Sequence, residues 1–179
     1  MFIFAHLGIG RQLVKPLTKG LPLWMVLFGT LLPDLIDKPL YYSLCWITGK
    51  HASELGLISG TRTFGHTALF LGLIALVAAL TRSRAFAALA LGVGSHFVLD
   101  SWSDLFLNST YGITHSALLW PFFGWQFPVD PFSNLKAHLE VIGTPVIIYG
   151  EILGLLLLAW NFFKGRLIRS APTRQSRAK

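Results

Sequence analysis

Charge is what this sequence has least of. Only 13% of its 179 residues are charged, and just eight are acidic, against 53% hydrophobic residues and a mean hydropathy of +0.59. A soluble globule carries about a quarter charged residues, so an ordinary water-facing surface is excluded. The single cysteine, Cys45, excludes an intramolecular disulfide. No internal repeat occurs, and no low-complexity tract apart from the polar end, 170–179. The opening "MFIFAHLGIG" has no basic residue ahead of its apolar start, so no cleavable signal peptide is expected. Aromatic residues, by contrast, are plentiful, with six tryptophans and fourteen phenylalanines.

The apolar residues fall in runs. Crossing a bilayer takes about 20 of them, and 141–163, "VIGTPVIIYGEILGLLLLAWNFF", is long enough despite Glu151. Three others are shorter: 21–32, 67–80 and 85–99. Charge placement separates membrane helices from buried soluble ones. Eleven of the fifteen lysines and arginines lie at three places, in 10–20, at Arg82 and Arg84, and from Lys164 to the end. Alternating helices bring all three to one side, which the positive-inside rule makes cytoplasmic. Every acidic residue except Glu151 lies in or beside the outward segments 33–62 and 101–140.

The expected fold is therefore all-α: a multipass transmembrane bundle of four to five helices with an aromatic-rich outer loop. Residues 1–169 form one membrane-embedded domain, and 170–179 a disordered cytoplasmic tail. The net charge of +7 then reads as a topology signal and an attraction to the anionic lipid bilayer. Nucleic acid is not an expected partner, because no aromatic interleaving or known module accompanies the basic tail. The sequence is silent on oligomeric state.

Three apolar runs meet ionisable residues at their outward ends: "LLPDLIDKP" with Asp34 and Asp37, "RTFGHT" with Arg62 and His66, and "GVGSHFVLD" with His96 and Asp100. Members of each pair are three or four residues apart, so each can share a helix face. From Arg84 to His96 is a rise of about 18 Å at ~1.5 Å per residue, which sets the site in the outer half of the membrane. Ionisable groups at that depth are costly unless paired or ion-bound. Imidazole with carboxylate suits zinc, manganese or ferrous iron better than calcium or magnesium. Such an ion acidifies bound water for hydrolysis, Arg62 suits an anionic substrate group, and Asp37 is a candidate general base. Plainer roles compete: a structural His96–Asp100 hydrogen bond, a turn at Pro33–Asp34, an interface anchor at Arg62. His6 lies only five residues before Arg11, and reaches the site only if 6–11 is unwound or Arg11 snorkels.

Taken in order, His6 and Gly8, "LLPDLID", Arg-x-x-x-His-Thr, "GSHFVLD" and "LLWPF" resemble the YdjM-like family of bacterial and archaeal inner-membrane proteins, labelled metal-dependent hydrolases. The resemblance covers roughly residues 1–132. It implies a multipass protein whose metal ligands are drawn from His6, Asp34, Asp37, His66, His96 and Asp100, with Arg62 as the motif arginine. Two departures stand out: Lys38 follows Asp37 where the family commonly has histidine, and Gly65-His66-Thr67 replaces Thr-His-Ser.

Of the rest, "ALLWPFFGWQFPVDPF" is poorly periodic and is expected to form an interfacial lid over the site. His115 and Asp104 are within reach of the site but, as loop residues, read as solvated rather than liganding. His138 and Glu140 cap the entry to the last helix, where Glu151 either pairs at the site's edge or stays protonated. The expected function is metal-dependent hydrolysis of a membrane-associated ester or phosphoester, with zinc or manganese as cofactor. Proton or cation transport, or a non-catalytic metal-binding scaffold, are the alternatives.

Overall fold

The computed structural model describes residues 3–111, 117–122, 124–129, 136, 140 and 143–170. His115, His138 and the tail from 171 lie outside them. The described elements are all helical. An N-terminal run comprises α1 (Ile3–Ala5), a π-helical turn (His6–Gly10), α2 (Arg11–Val14) and a 3-10 turn (Lys15–Leu17). Then come α3 (Leu23–Thr48), α4 (Ala68–Thr81), α5 (Arg84–Tyr111) and α6 (Pro145–Ser170).

Local chemistry sets several of the ends. Thr67 caps α4, its side chain accepting from the Phe70 N–H at 3.0 Å. Gly49, at φ 67, ends α3 by turning left-handed and closing its N–H on the Cys45 carbonyl.

Two helices outrun their expected ends. α3 continues through Pro33 and Pro39 for another sixteen residues beyond 32. A proline removes one N–H and strains one turn, but Pro33, Asp37, Tyr41 and Cys45 are all buried, so packing holds the helix together. α5 likewise passes Asp100, because Ser103, Asp104 and Leu107 extend the buried stripe begun by Val93, His96 and Phe97. The three ionisable pairs are therefore not all at helix tips: those of α3 and α5 sit in mid-helix.

Arg84–Leu107 and Pro145–Lys164 are long and apolar enough to cross a membrane. α3 has the length but carries Asp34, Asp37 and Lys38 within five residues, and α4 has only 14 residues.

α3 and α5 form the central pair, crossing where Gly29 meets Gly92. A Cβ on Gly29 would collide with the Leu89 carbonyl and the Gly92 Cα, so only glycine permits this approach. α4 seats on α5 through Ile74, Leu89, Val93 and Phe97. Val14, one residue before Lys15, joins Val26 and Ala88, the latter one turn after Arg84. α6 lies along the N-terminal run in parallel, with Glu151 beside Phe4 and Ala5, and Gly154 against Gly8.

Candidate metal centre

The glycine crossing has a chemical consequence one residue on. It brings the Thr30 carbonyl of α3 to 2.8 Å from His96 Nδ1 on α5. A carbonyl can only accept, so that nitrogen carries the proton and His96 Nε2 presents a lone pair. His66 is held in the same sense by a different device. Its Nδ1 lies 2.7 Å from Asp37 Oδ2, and Asp37 also accepts the N–H groups of Thr63 at 2.7 Å and Gly65 at 2.9 Å. Gly65 fits because a Cβ there would crowd Pro33 and the Asp37 carboxylate. His66 Nε2 is left facing inward.

The two Nε2 atoms point at each other, 3.1 Å apart. Around them stand Asp34 Oδ1, 3.5 Å from His66 Nε2, and Asp100 Oδ2, 3.6 Å from His66 Nε2 and 3.5 Å from His96 Nε2. Ligands on one ion, at bonds of about 2.0–2.2 Å, are separated by roughly 3.0–3.5 Å in tetrahedral or octahedral geometry. The donor set and its spacing fit a divalent cation.

Charge points the same way. Among the described residues, Asp34 faces Lys38 at 2.6 Å, and Asp100 and Asp104 share Arg62, 3.2 Å from Asp100. With neutral histidines, the carboxylates outnumber the basic side chains that face them in this buried space. Burial works against the positive charge of His66, but its bonds to Asp34 and Asp37, and then Asp100, raise its pKa. Burial likewise opposes the Arg62 charge, and Asp100 and Asp104 overcome it, holding that pKa above its ordinary value.

His6 does reach this cluster, though 6–11 is not unwound. It is fully buried, its ring stacked on His96 at 4.0 Å and 12°, with Nε2 3.4 Å from Asp100 Oδ1. Neither ring nitrogen makes a hydrogen bond. Because the N-terminal run starts beside the cluster rather than crossing past it, five helical residues suffice to separate His6 from a half-exposed Arg11. The π-turn beginning at His6 is of a kind often found at functional sites.

All seven residues expected from the sequence thus meet, in unequal places. His6, His96 and Asp100 offer one group of ligand atoms within 4.8 Å, and Asp34, His66 and His96 another. Asp37 stands behind His66, both oxygens taken by N–H donors. That is the place of a carboxylate that orients a liganding histidine, and it does not suit the ligand and general base expected above. Asp104, read from the sequence as a solvated loop residue, is 1% exposed on α5. The spacing Asp100-x-x-x-Asp104 would have exposed it had the helix been continued. The Thr30 carbonyl carries no sequence signal.

A cleft of about 30 Å³, room for a water or two, reaches the cluster between Arg62, Asp100 and Asp104 on one side and Ala117 and Leu118 on the other. The segment 117–122 docks there, the Leu118 carbonyl accepting the Ala68 N–H at 2.8 Å. Outside it, Phe64, Trp120, Trp125 and Phe127 pack ring to ring. The aromatic segment walls the cleft.

No curated protein and no solved structure matches the chain. A histidine–aspartate cluster assembled from the N-terminal run, α3, the 62–66 turn and α5 uses the motifs that suggested a family, and the match extends beyond them: the family model described as YdjM inner membrane protein covers residues 1–168, and the chain belongs to that family.

Proposed function

We propose that this protein is a multipass inner-membrane hydrolase that uses a divalent ion, of the zinc or manganese type, to cleave a membrane-associated ester or phosphoester. The observation that carries the reading is the pair of opposed Nε2 atoms, 3.1 Å apart, with the Asp34 and Asp100 carboxylates beside them. Asp34, His66, His96 and Asp100 would hold the ion, with His6 on the far side of Asp100. Such an ion contributes Lewis acidity and an acidified water.

The remaining steps fall to the chain. Asp37 fixes the His66 tautomer, and the Thr30 carbonyl fixes that of His96. Arg62 spans Asp100 and Asp104 at the cleft, where a guanidinium can also orient an anionic substrate group. Asp104 faces the cleft and is better placed than Asp37 to take the proton of the attacking water. The aromatic wall at 117–127 keeps bulk water from the reaction.

The reading includes four spanning helices, α3 to α6, with the C-terminus cytoplasmic, and two features support it. Val14, Val26 and Ala88 cluster near Arg11, Lys15 and Arg84. The parallel register of Gly8 with Gly154 carries Lys164 towards the same end. Short α4 and charged α3 are admissible inside a bundle, where neighbours rather than lipid cover polar groups.

The test is metal content followed by turnover. Protein purified in mild detergent should hold stoichiometric metal, and His96→Ala should not. Asp104→Asn should keep the metal and lose hydrolysis of a phosphoester or lipid panel. If no ion co-purifies or can be loaded, a proton shared between His66 and His96 is the better account of the pair, and the hydrolase reading falls. Metal without any turnover would favour a structural ion.

A further inference from the structure

α6 contributes no member of the cluster, yet it holds one side chain that belongs nowhere in an apolar span. Glu151 lies within the stretch Pro145–Lys164. Its two oxygens accept two consecutive backbone N–H groups at the start of the N-terminal run: Oε2 from Phe4 at 3.0 Å and Oε1 from Ala5 at 3.0 Å. The first N–H groups of a helix have no partner within the helix, and away from water each unpaired one is expensive. A carboxylate there also meets the positive end of the helix dipole.

One turn along α6, the contact becomes backbone against backbone. A Cβ on Gly154 would overlap the Phe4 carbonyl and the Ala5 nitrogen, and a Cβ on Gly8 would overlap the Gly154 carbonyl. Neither surface has a side chain that could take up a shift. α6 thereby holds the start of the run, while Gly10 and Val14 further along pack on α3 and α5.

The next residue after the two capped amides is His6. His66 and His96 each have Nδ1 tied to an acceptor at 2.7–2.8 Å, whereas the acceptor facing His6 is Asp100, at a looser 3.4 Å from Nε2. Its ring is placed by the backbone that carries it, by stacking on His96 and by this contact with Asp100.

We propose that Glu151 is the positioning residue for His6: by capping Phe4 and Ala5 it fixes the N-terminal run so that the His6 ring meets Asp100 and His96. The cap stands on its own geometry, and its consequence for an ion rests on the metal reading above.

Two measurements test it on the full chain in detergent: Co²⁺ titration followed by the visible absorption of the bound ion, and hydrogen exchange of the segment 3–10. The variants are Glu151→Ala, Glu151→Gln, His6→Ala and the double variant Glu151→Ala/His6→Ala, with Leu156→Ala on the exposed face of α6 as control. Glu151→Ala should speed exchange of the Phe4 and Ala5 amides about five- to tenfold. It should also weaken Co²⁺ binding about tenfold and give the spectrum of His6→Ala. The double variant should bind no more weakly than either single one, since both remove the same ligand. Glu151→Gln, which keeps one acceptor, should fall between wild type and Glu151→Ala, and it serves in its place if Glu151→Ala does not fold. Unchanged exchange in 3–10 overturns the cap, and additive losses of affinity overturn its link to His6. A wild type that takes no Co²⁺ removes His6 as a ligand and sinks the metal reading, while the exchange result still decides the cap.

Discussion

The cluster's histidines are placed by two different means. His66 and His96 are each held from behind, one by a buried carboxylate and the other by a backbone carbonyl. His6 has only a 3.4 Å contact with Asp100 and a stacked ring on His96, and it follows directly on the two amides that Glu151 of α6 caps. A ring tied at Nδ1 keeps its tautomer and aim with or without an ion. A ring placed only by packing keeps its aim while its backbone stays put. The inner half of the site is thus self-contained, and the His6 side depends on α6.

That contrast can be broken in order of severity. His96→Ala or His66→Ala removes one of the two opposed nitrogens, and metal analysis should find no stoichiometric ion. Asp37→Ala comes next. It strands the N–H groups of Thr63 and Gly65 and frees the His66 ring, for a loss of about 2–5 kcal/mol in stability and a ten- to hundredfold weaker ion affinity. Unfolding and metal titration in detergent check both.

Arg62→Gln leaves Asp100 and Asp104 facing each other without their shared cation, at a cost of about 3 kcal/mol. Added metal should restore part of that loss, which thermal unfolding with and without zinc would show. Chelation of the wild type should lower Tm by about 5–10 °C, with no change in His96→Ala; equal shifts in both would mean that the chelator acts elsewhere. The smallest effect is expected at Thr30→Val. The carbonyl that holds His96 survives, so stability should change by under about 1.5 kcal/mol and ion affinity by no more than about twofold. A larger loss there would show that His96 is not held by the backbone.

Much of this was legible in the residues. The ionisable pairs stood out because their surroundings are so apolar, and the three-to-four-residue spacing put them on helix faces. Their positions along the helices are not legible, for a local reason. Pro33 has the signature of a terminus, and the C-terminal part of α5 is polar, whereas buried Tyr41, Cys45, Ser103 and Leu107 show that packing carries both helices on. Asp104 is hidden for the same reason. The division between Asp37 behind the ring and Asp34 beside it was not legible either, since both are aspartates on one helix.

The sequence alone determined that the chain is helical and apolar, with its basic residues segregated and with imidazole and carboxylate at fixed intervals. Those properties follow from composition and period, which act within one segment at a time. Which carboxylate faces an ion, which nitrogen of each ring keeps its proton, and what holds His6 were decided only when helices met. They depend on contacts such as Thr30 with His96, 66 residues apart, and Phe4 with Glu151, 147 apart. No local pattern encodes a backbone carbonyl or amide as a partner, because every residue has one.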